Sequence, residues 1–263
     1  MAVISAMIKN TRFLDGRAYM ALIGFALLLN VENASPGVEA IAFVAGVLYV
    51  LYAFSINNCF DVDTDSVNPQ KARKNPVASG ELSFRAGVVF SLALIVTGLA
   101  LSLLINRAAA LTYATMALIA TLYSAPPRLK ARAVLDVLSH GLFFGGLPFL
   151  YGALVDASLT REELLIAGAI TLYSFALELR NHLEDYESDV RAGLRTTPIA
   201  IGRELSEGLV VTFSLGAIGM LLYLQHPLFL MAAPLLAVQR AYRAFDAVVV
   251  FLLLIHLMRG LLW

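Results

Sequence analysis

The stretch INNCFDVDTDSVNP, residues 56–69, ends a long apolar run by placing three aspartates and two asparagines in the nine positions from Asn57 to Asp65. A second stretch, RNHLEDYESDVRAG at 180–193, repeats the arrangement. Aligned on asparagine, Asn57-Asn58-x-x-Asp61-x-x-x-Asp65 matches Asn181-His182-x-x-Asp185-x-x-x-Asp189. Each copy follows an apolar segment and precedes a basic loop. Two matching acidic motifs at equivalent helix ends are a poor fit to chance, and they decide how the rest of the chain is read.

The surrounding composition belongs to a membrane protein. Of 263 residues, 59% are hydrophobic and 14% charged, against roughly 25% charged in soluble domains. Mean hydropathy is +0.78. A formal net charge of zero argues against nucleic acid as a partner, and the single cysteine, Cys59, excludes an intramolecular disulfide. No Cys/His spacing suits zinc. The leading MAVISAMIKNTRFLDGR is too short in its apolar part, and too charged after it, for a cleavable signal. The first membrane helix is therefore expected to direct insertion.

A spanning helix needs about 20 mostly apolar residues. The chain offers nine such runs, at 17–31, 38–58, 84–105, 108–124, 134–154, 163–183, 207–224, 227–241 and 244–262. No alternating ten-residue segments of a β-barrel are present. The expected fold is an all-α polytopic bundle formed by one domain, 1–263. With the N-terminus cytoplasmic, all of the 19 Lys and Arg except Arg107, Arg161 and Arg259 fall on the inner side. Adding or removing a span would scramble the later loops. Both acidic motifs then face the cytoplasm, at the ends of the second and sixth spans.

A spacing of four puts Asp61 and Asp65 on one helical face, about 6 Å apart along the axis, and likewise Asp185 and Asp189. Asn57 and Asn181 lie one turn earlier. Asp63 and Glu187 point well away from that face, toward water or a loop. At about 6 Å and an effective dielectric near 20, two carboxylates repel by roughly 3 kcal/mol, so four converging carboxylates need cations. Carboxylate and amide oxygens are hard ligands suited to Mg²⁺, which binds through one or two carboxylates and substrate phosphates. The spacing predicts two Mg²⁺ ions between the second and sixth spans, holding a diphosphate. Lys71, Arg73, Lys74, Arg128, Lys130, Arg191 and Arg195 would form a cationic rim for it, although the positive-inside rule alone also places cations there.

These residues resemble those of the UbiA superfamily of intramembrane prenyltransferases. The first motif is similar to the family's N-D-x-x-D-x-x-x-D, with Asn58 where aspartate is usual. KNPVASGELS at 74–83 is similar to its R-P-x-x-S-G-x-x-S segment, with Lys74-Asn75 in place of Arg-Pro. YSAPPRLK at 123–130 matches its Tyr-Ser-x-Pro-Pro-x-x-Lys loop, and DYESDVRAGLRTT at 185–197 its second aspartate motif. The resemblance implies nine helices around a central cavity, capped by cytoplasmic segments at about 59–83 and 184–206. It also implies Mg²⁺-dependent transfer of a prenyl group from a prenyl diphosphate to a lipophilic acceptor. By position, Asn57, Asp61, Asp65, Asp185 and Asp189 would hold metal, with Asn181 as the repeat's equivalent of Asn57. The amide oxygen of Asn58 could still coordinate, and His182 would stand behind the ligands. Lys74, Arg128, Lys130 and either Arg12 or Arg17 would contact diphosphate. Tyr123 and Ser124 would lie near the reacting carbon.

The chemistry fits the residue types. Metal and cations neutralise a departing diphosphate, and a water-poor chamber protects the allylic cation, which Tyr123 could stabilise through its ring. Phe143, Phe144, Phe149, Tyr151, Tyr173 and Phe175 could line a tail tunnel or simply pack the bundle. Asp136 and His140, one turn apart, could assist the acceptor, or Asp136 could serve its helix dipole. Glu178, an acid inside an apolar run, is a site candidate. Gly145 and Gly146 suggest a close helix approach or an irregular turn. His226 and His256 read as interfacial.

The loops at 68–80 and 123–142 look more similar to archaeal lipid and carotenoid-elongating members than to 4-hydroxybenzoate enzymes, though a Lys-Arg-x-Gly segment of the lipid-ether members is missing. Two other classes place carboxylates in membranes. A cation transporter would hold them near the midplane between inverted halves, whereas these motifs sit at helix ends on one side. A CDP-alcohol phosphotransferase needs an Asp-Gly-x-x-Ala-Arg core, which the sequence lacks.

Overall fold

A computed structural model describes residues 2–225 and 242–262. The predicted span 227–241 and His226 lie outside the described residues. Long helices form at α2 (Phe13–Leu29), α3 (Pro36–Phe60), α6 (Phe84–Leu103), α7 (Arg107–Ser124), α10 (Arg161–Glu184), α13 (Arg203–Gln225) and α14 (Tyr242–Leu262). Their starts are set locally. Ser35, Ser83 and Asn106 accept from backbone N–H groups of the first turn, and Thr160 and Glu163 close a reciprocal capping box. Among the described residues there are no strands, only one isolated bridge between Arg132 and Arg195. Among the described residues, four segments are long and apolar enough to cross a membrane: Pro36–Phe60, Phe84–Leu103, Leu135–Asp156 and Arg203–Gln225.

Three departures from the expected outline bear on the site. An N-terminal helix, α1 (Ala2–Asn10), packs against α3 and α6. Short helices α4 (Val62–Asp65), α5 (Pro69–Lys74), α11 (Tyr186–Arg191) and α12 (Thr197–Ile201) occupy the two segments after the acidic motifs. The run expected as one helix at 134–154 is divided into α8 (Leu135–His140), a π-helical turn over Gly141–Gly146, α9 (Leu147–Ala153) and a 3₁₀ turn. Its glycines explain the wide turn. A Cβ on Gly141 would come within 2.0 Å of the Phe175 ring, and on Gly146 within 2.2 Å of Thr171 Oγ1. The segment is pressed so closely on α10 that side chains do not fit between them.

The wide turn alters the helical hydrogen-bond ladder, and the Phe143 carbonyl accepts from the Tyr49 hydroxyl at 2.5 Å. Tyr49, Tyr113 and Tyr151 are fully buried and meet edge to face. Tyr113 and Tyr151 donate to the carbonyls of Ala45 and Ala42, so each phenol is satisfied. Tyr151 and Phe149 are therefore packing residues of the core. Tyr173 instead donates to Asp246 on α14, beside the Arg180–Asp246 ion pair, and Phe175 packs on Phe213.

Neighbour follows neighbour around the bundle: α2 on α3, α3 on α6 and α7, α7 on α8 and α9, α10 on the π turn and on α13, and α13 on α14. Helix α14 returns to α2, which closes the ring. Helices α2 and α9 approach closely at Gly152. A Cβ on Gly152 would lie 2.7 Å from Ala26 Cβ and 3.0 Å from the Ile23 carbonyl oxygen. Neither atom can swing aside, so Gly152→Val is expected to cost about 1–3 kcal/mol of stability. A lowered thermal unfolding midpoint in detergent, followed by circular dichroism, checks this.

Candidate functional site

Both acidic motifs have one local geometry. Helix α3 stops at Phe60 and α10 at Glu184, and the middle aspartates, Asp61 (φ −102°, ψ 9°) and Asp185 (φ −87°, ψ 1°), are the joints to the short helices α4 and α11. The i to i+4 bonds continue across each joint. Asp61 N donates to Asn57 O at 3.0 Å and Asp65 N to Asp61 O at 2.7 Å; the equivalents at 185 and 189 are 3.0 and 2.9 Å. The helical bonding on which the spacing argument relies thus continues through each motif, with a break at its centre that the spacing did not predict.

Cations from three loops meet these carboxylates. Lys130 Nζ contacts Asp61 and lies 3.3 Å from Asn57 Oδ1; both ion-pair partners are 14% exposed. Burial pulls the Lys130 ammonium down to about 7, opposed by the Glu178 and Asp189 charges. Arg128, held in the left-handed region at φ 55°, reaches Asp61 at 3.6 Å and Asp63 at 2.8 Å. Its hydrogen bond lowers the pKa of Asp63. Asp63 and Glu187 are both exposed, and Glu187 pairs with Arg203 at 2.6 Å. Lys71, on α5 after the first motif, crosses to Asp185 of the second at 3.0 Å.

Not every predicted residue points into this cluster. Asn58 is fully buried, and its amide donates to the Asn10 carbonyl and side chain at 3.0 and 3.2 Å, tying α3 to α1. Its amide NH2 serves that helix contact, while its Oδ1 is buried with no hydrogen-bond partner among the described residues. Arg17 is exposed and donates to its own helix, at the Leu14 carbonyl. Arg12 is the better placed of the two: it pairs with Asp15 at 2.8 Å and lies over the Phe54 ring, and Asp15 is 3.9 Å from Lys74. Asn181 is exposed at the surface of α10 and donates to Glu178 Oε2 at 3.2 Å.

Helix α7 ends between the two motifs. Ser124 donates to Asn57 Oδ1 at 3.1 Å, and Tyr123 donates to Glu178 Oε1. His182 sits 3.4 Å from Asp189 Oδ2 and 3.1 Å from Glu178, the position of a side chain that orients ligands from behind. Asp136, fully buried, accepts from the Thr197 backbone N–H at 2.6 Å and from its hydroxyl. It clamps α8 to the segment after the second motif. Asp15 escaped the sequence reading, and Asn75 and Thr197 entered it only as letters of a motif, because a single polar residue carries no spacing signal for its partner.

The oxygen donors suit a hard divalent ion. Among the described residues, no three His, Cys, Asp or Glu side chains converge as a ligand cage. Mg²⁺ is commonly held by one or two carboxylates plus substrate phosphate rather than by an all-protein cage. Asp61 and Asp185 stand at two helix ends that are linked through Lys71 on one side and met by Lys130 on the other.

The profile of the UbiA prenyltransferase family matches residues 18–253. The chain belongs to that family. It is thus an all-helical membrane enzyme that transfers alkyl groups larger than methyl. Among relatives of this UbiA chain, the digeranylgeranylglyceryl phosphate synthase of Methanococcoides burtonii is 27% identical over 208 residues, 76% of this chain and 72% of that protein. The lycopene elongase/hydratase of Halobacterium salinarum is 32% identical over 213 residues, 75% and 74% respectively. A UbiA homologue from Archaeoglobus fulgidus, solved with GPP and Mg²⁺, superposes with a TM-score of 0.73 at 23% identity, over 98% of this chain and 88% of the other. That likeness shows the fold.

Asn75 is the hub of the first cap. It is buried, donates to Asn58 O and Asp65 Oδ2 at 2.9 Å each, and accepts from Val77 N and Ala78 N. Asn75→Ala strands these groups and is expected to cost about 1–3 kcal/mol. Hydrogen exchange should rise first at residues 75–78, which mass spectrometry of the protein in detergent reads.

Proposed function

We propose that this UbiA member is a Mg²⁺-dependent intramembrane prenyltransferase that moves a prenyl group from a prenyl diphosphate, such as geranylgeranyl diphosphate, to a hydrophobic acceptor through an allylic carbocation. The observation that carries this reading is the pairing of two aspartate motifs, each bent at its central carboxylate and each met by lysine, across the Tyr123–Ser124 end of α7. The reading includes nine spans around a cavity, an N-terminus in the cytoplasm, and a site opening to the cytoplasmic face of the cell membrane.

Two bound Mg²⁺ ions would neutralise charge on the departing diphosphate. Asp61, Asp65, Asp185 and Asp189, with the Asn57 amide, would hold them. Lys74, Arg128, Lys130 and Arg12 bind the diphosphate oxygens, and their charges stabilise the leaving group as the C–O bond breaks. Lys130 and Arg128 already lie against Asp61, so short side-chain movements carry them to a phosphate beside it. The Tyr123 ring faces the electron-poor allylic carbon and attracts it. The apolar bundle excludes water until the acceptor captures the cation. The named relatives act in lipid-ether and carotenoid chemistry, which favours a lipid-soluble acceptor of one of those classes.

The test supplies purified protein with labelled geranylgeranyl diphosphate, Mg²⁺ and a lipid extract, with products identified by mass spectrometry. Asp61→Ala or Asp185→Ala is expected to abolish transfer, a loss of at least about 10³-fold, whereas Asp63→Ala keeps most of it. Equal loss at Asp63 contradicts the shared-face argument, and absence of prenyl diphosphate binding by the unaltered protein overturns the enzyme reading.

A further inference from the structure

The aspartate motifs do not account for Glu178. It lies inside α10, 3% exposed, three residues before Asn181. A carboxylate there is expensive unless both oxygens are matched, and both are. Oε1 accepts from the Tyr123 hydroxyl and lies 3.1 Å from His182 Nε2. Oε2 accepts from Asn181 Nδ2 at 3.2 Å and lies 3.5 Å from His140 Nε2. His140 is fixed in turn by Ser174, whose hydroxyl is 3.0 Å from Nδ1. His182 Nε2 makes a charge contact and no hydrogen bond, so Glu178 is held directly by Tyr123 and Asn181, and losing either donor strands a carboxylate oxygen in an apolar surrounding.

Tyr123 is what the network holds. Its hydroxyl is pinned by Glu178, and its ring packs on Phe143, centroids 4.8 Å apart at 51°. Phe143 is itself anchored, because its carbonyl in the π turn accepts from Tyr49. The neighbouring Ser124 is tied to Asn57. The ring is thus located from α10, from the π turn and, through the backbone, from α3.

We infer that Glu178 is a positioning residue for prenyl transfer: it fixes the Tyr123 ring against the carbon that the diphosphate leaves. This rests on the prenyltransferase reading of the site. A phenol whose O–H is donated to a carboxylate keeps one orientation and has a more electron-rich ring, and both favour attraction of an allylic cation. The cation exists only after ionisation begins, so the benefit falls on the transition state rather than on diphosphate binding.

Steady-state transfer of labelled geranylgeranyl into lipid extract, measured on the full chain, tests this. Glu178→Leu, which removes the acceptor of the Tyr123 hydroxyl, is expected to lower kcat about 10²-fold with KM for geranylgeranyl diphosphate within about threefold of the unaltered protein. Glu178→Gln, which keeps a carbonyl acceptor, should recover about tenfold of that loss. Tyr123→Phe should match Glu178→Leu, and the double variant should be no slower than the slower single, because both remove one interaction. Losses that multiply in the double variant, or a raised KM with kcat retained, overturn the proposal. If Glu178→Leu does not fold, Tyr123→Phe removes a single hydroxyl and still decides, since an unchanged kcat there is fatal. An unaltered protein that transfers no prenyl group would instead overturn the enzyme reading itself.

Discussion

The structure depends on one electrostatic constraint. Carboxylates at or below the membrane end of a helix bundle must be matched by cations or donors, since an unmatched one costs far more than a single packing defect. Here the matching partners come from distant parts of the chain. Lys71 reaches Asp185, Lys130 and Arg128 reach Asp61, and Asn75 reaches Asp65. The lysine and arginine contacts join segments far apart in the chain and Asn75 closes the first cap on itself, so satisfying the charges also fixes the segments after both motifs. The same groups are the ones a diphosphate and its metal would recruit.

A second consequence concerns rigidity. The site is not built on loops alone: α7, α8, α10 and the π turn supply Tyr123, Ser124, His140, Glu178, His182 and Phe143 from helical backbone. The π turn exists because Gly141, Gly145 and Gly146 permit contact with α10 that any side chain would block. The wide turn exposes the Phe143 carbonyl to Tyr49, and a local irregularity becomes a connection between α3 and the centre. Irregular backbone at this depth is tolerated because neighbouring side chains satisfy it.

Much was legible from the sequence. The apolar runs gave helices close to their observed ends, because Ser, Asn and Thr caps and Pro starts are local signals. The paired motifs located the two helix ends where cations gather, because period is also local. The exposure of Asp63 and Glu187 followed from the same arithmetic. What failed was of another kind. Asn58 carries the family's position but turns its side chain to Asn10, and Asp136 sits at a helix start yet bonds to Thr197, far along the chain. The division of 134–154 was only hinted at by its glycines.

The sequence by itself determined that this is a helical membrane protein with two matched acidic sites, since composition, period and motif spacing depend only on near neighbours in the chain. The tertiary structure decided which polar residues meet: that Arg12 rather than Arg17 joins Lys74 through Asp15, that Asn58 faces α1, and that Glu178 holds Tyr123. The physical reason is that a buried polar group is placed by whichever partner can satisfy it. In a bundle that partner comes from another helix, at a distance no local pattern records.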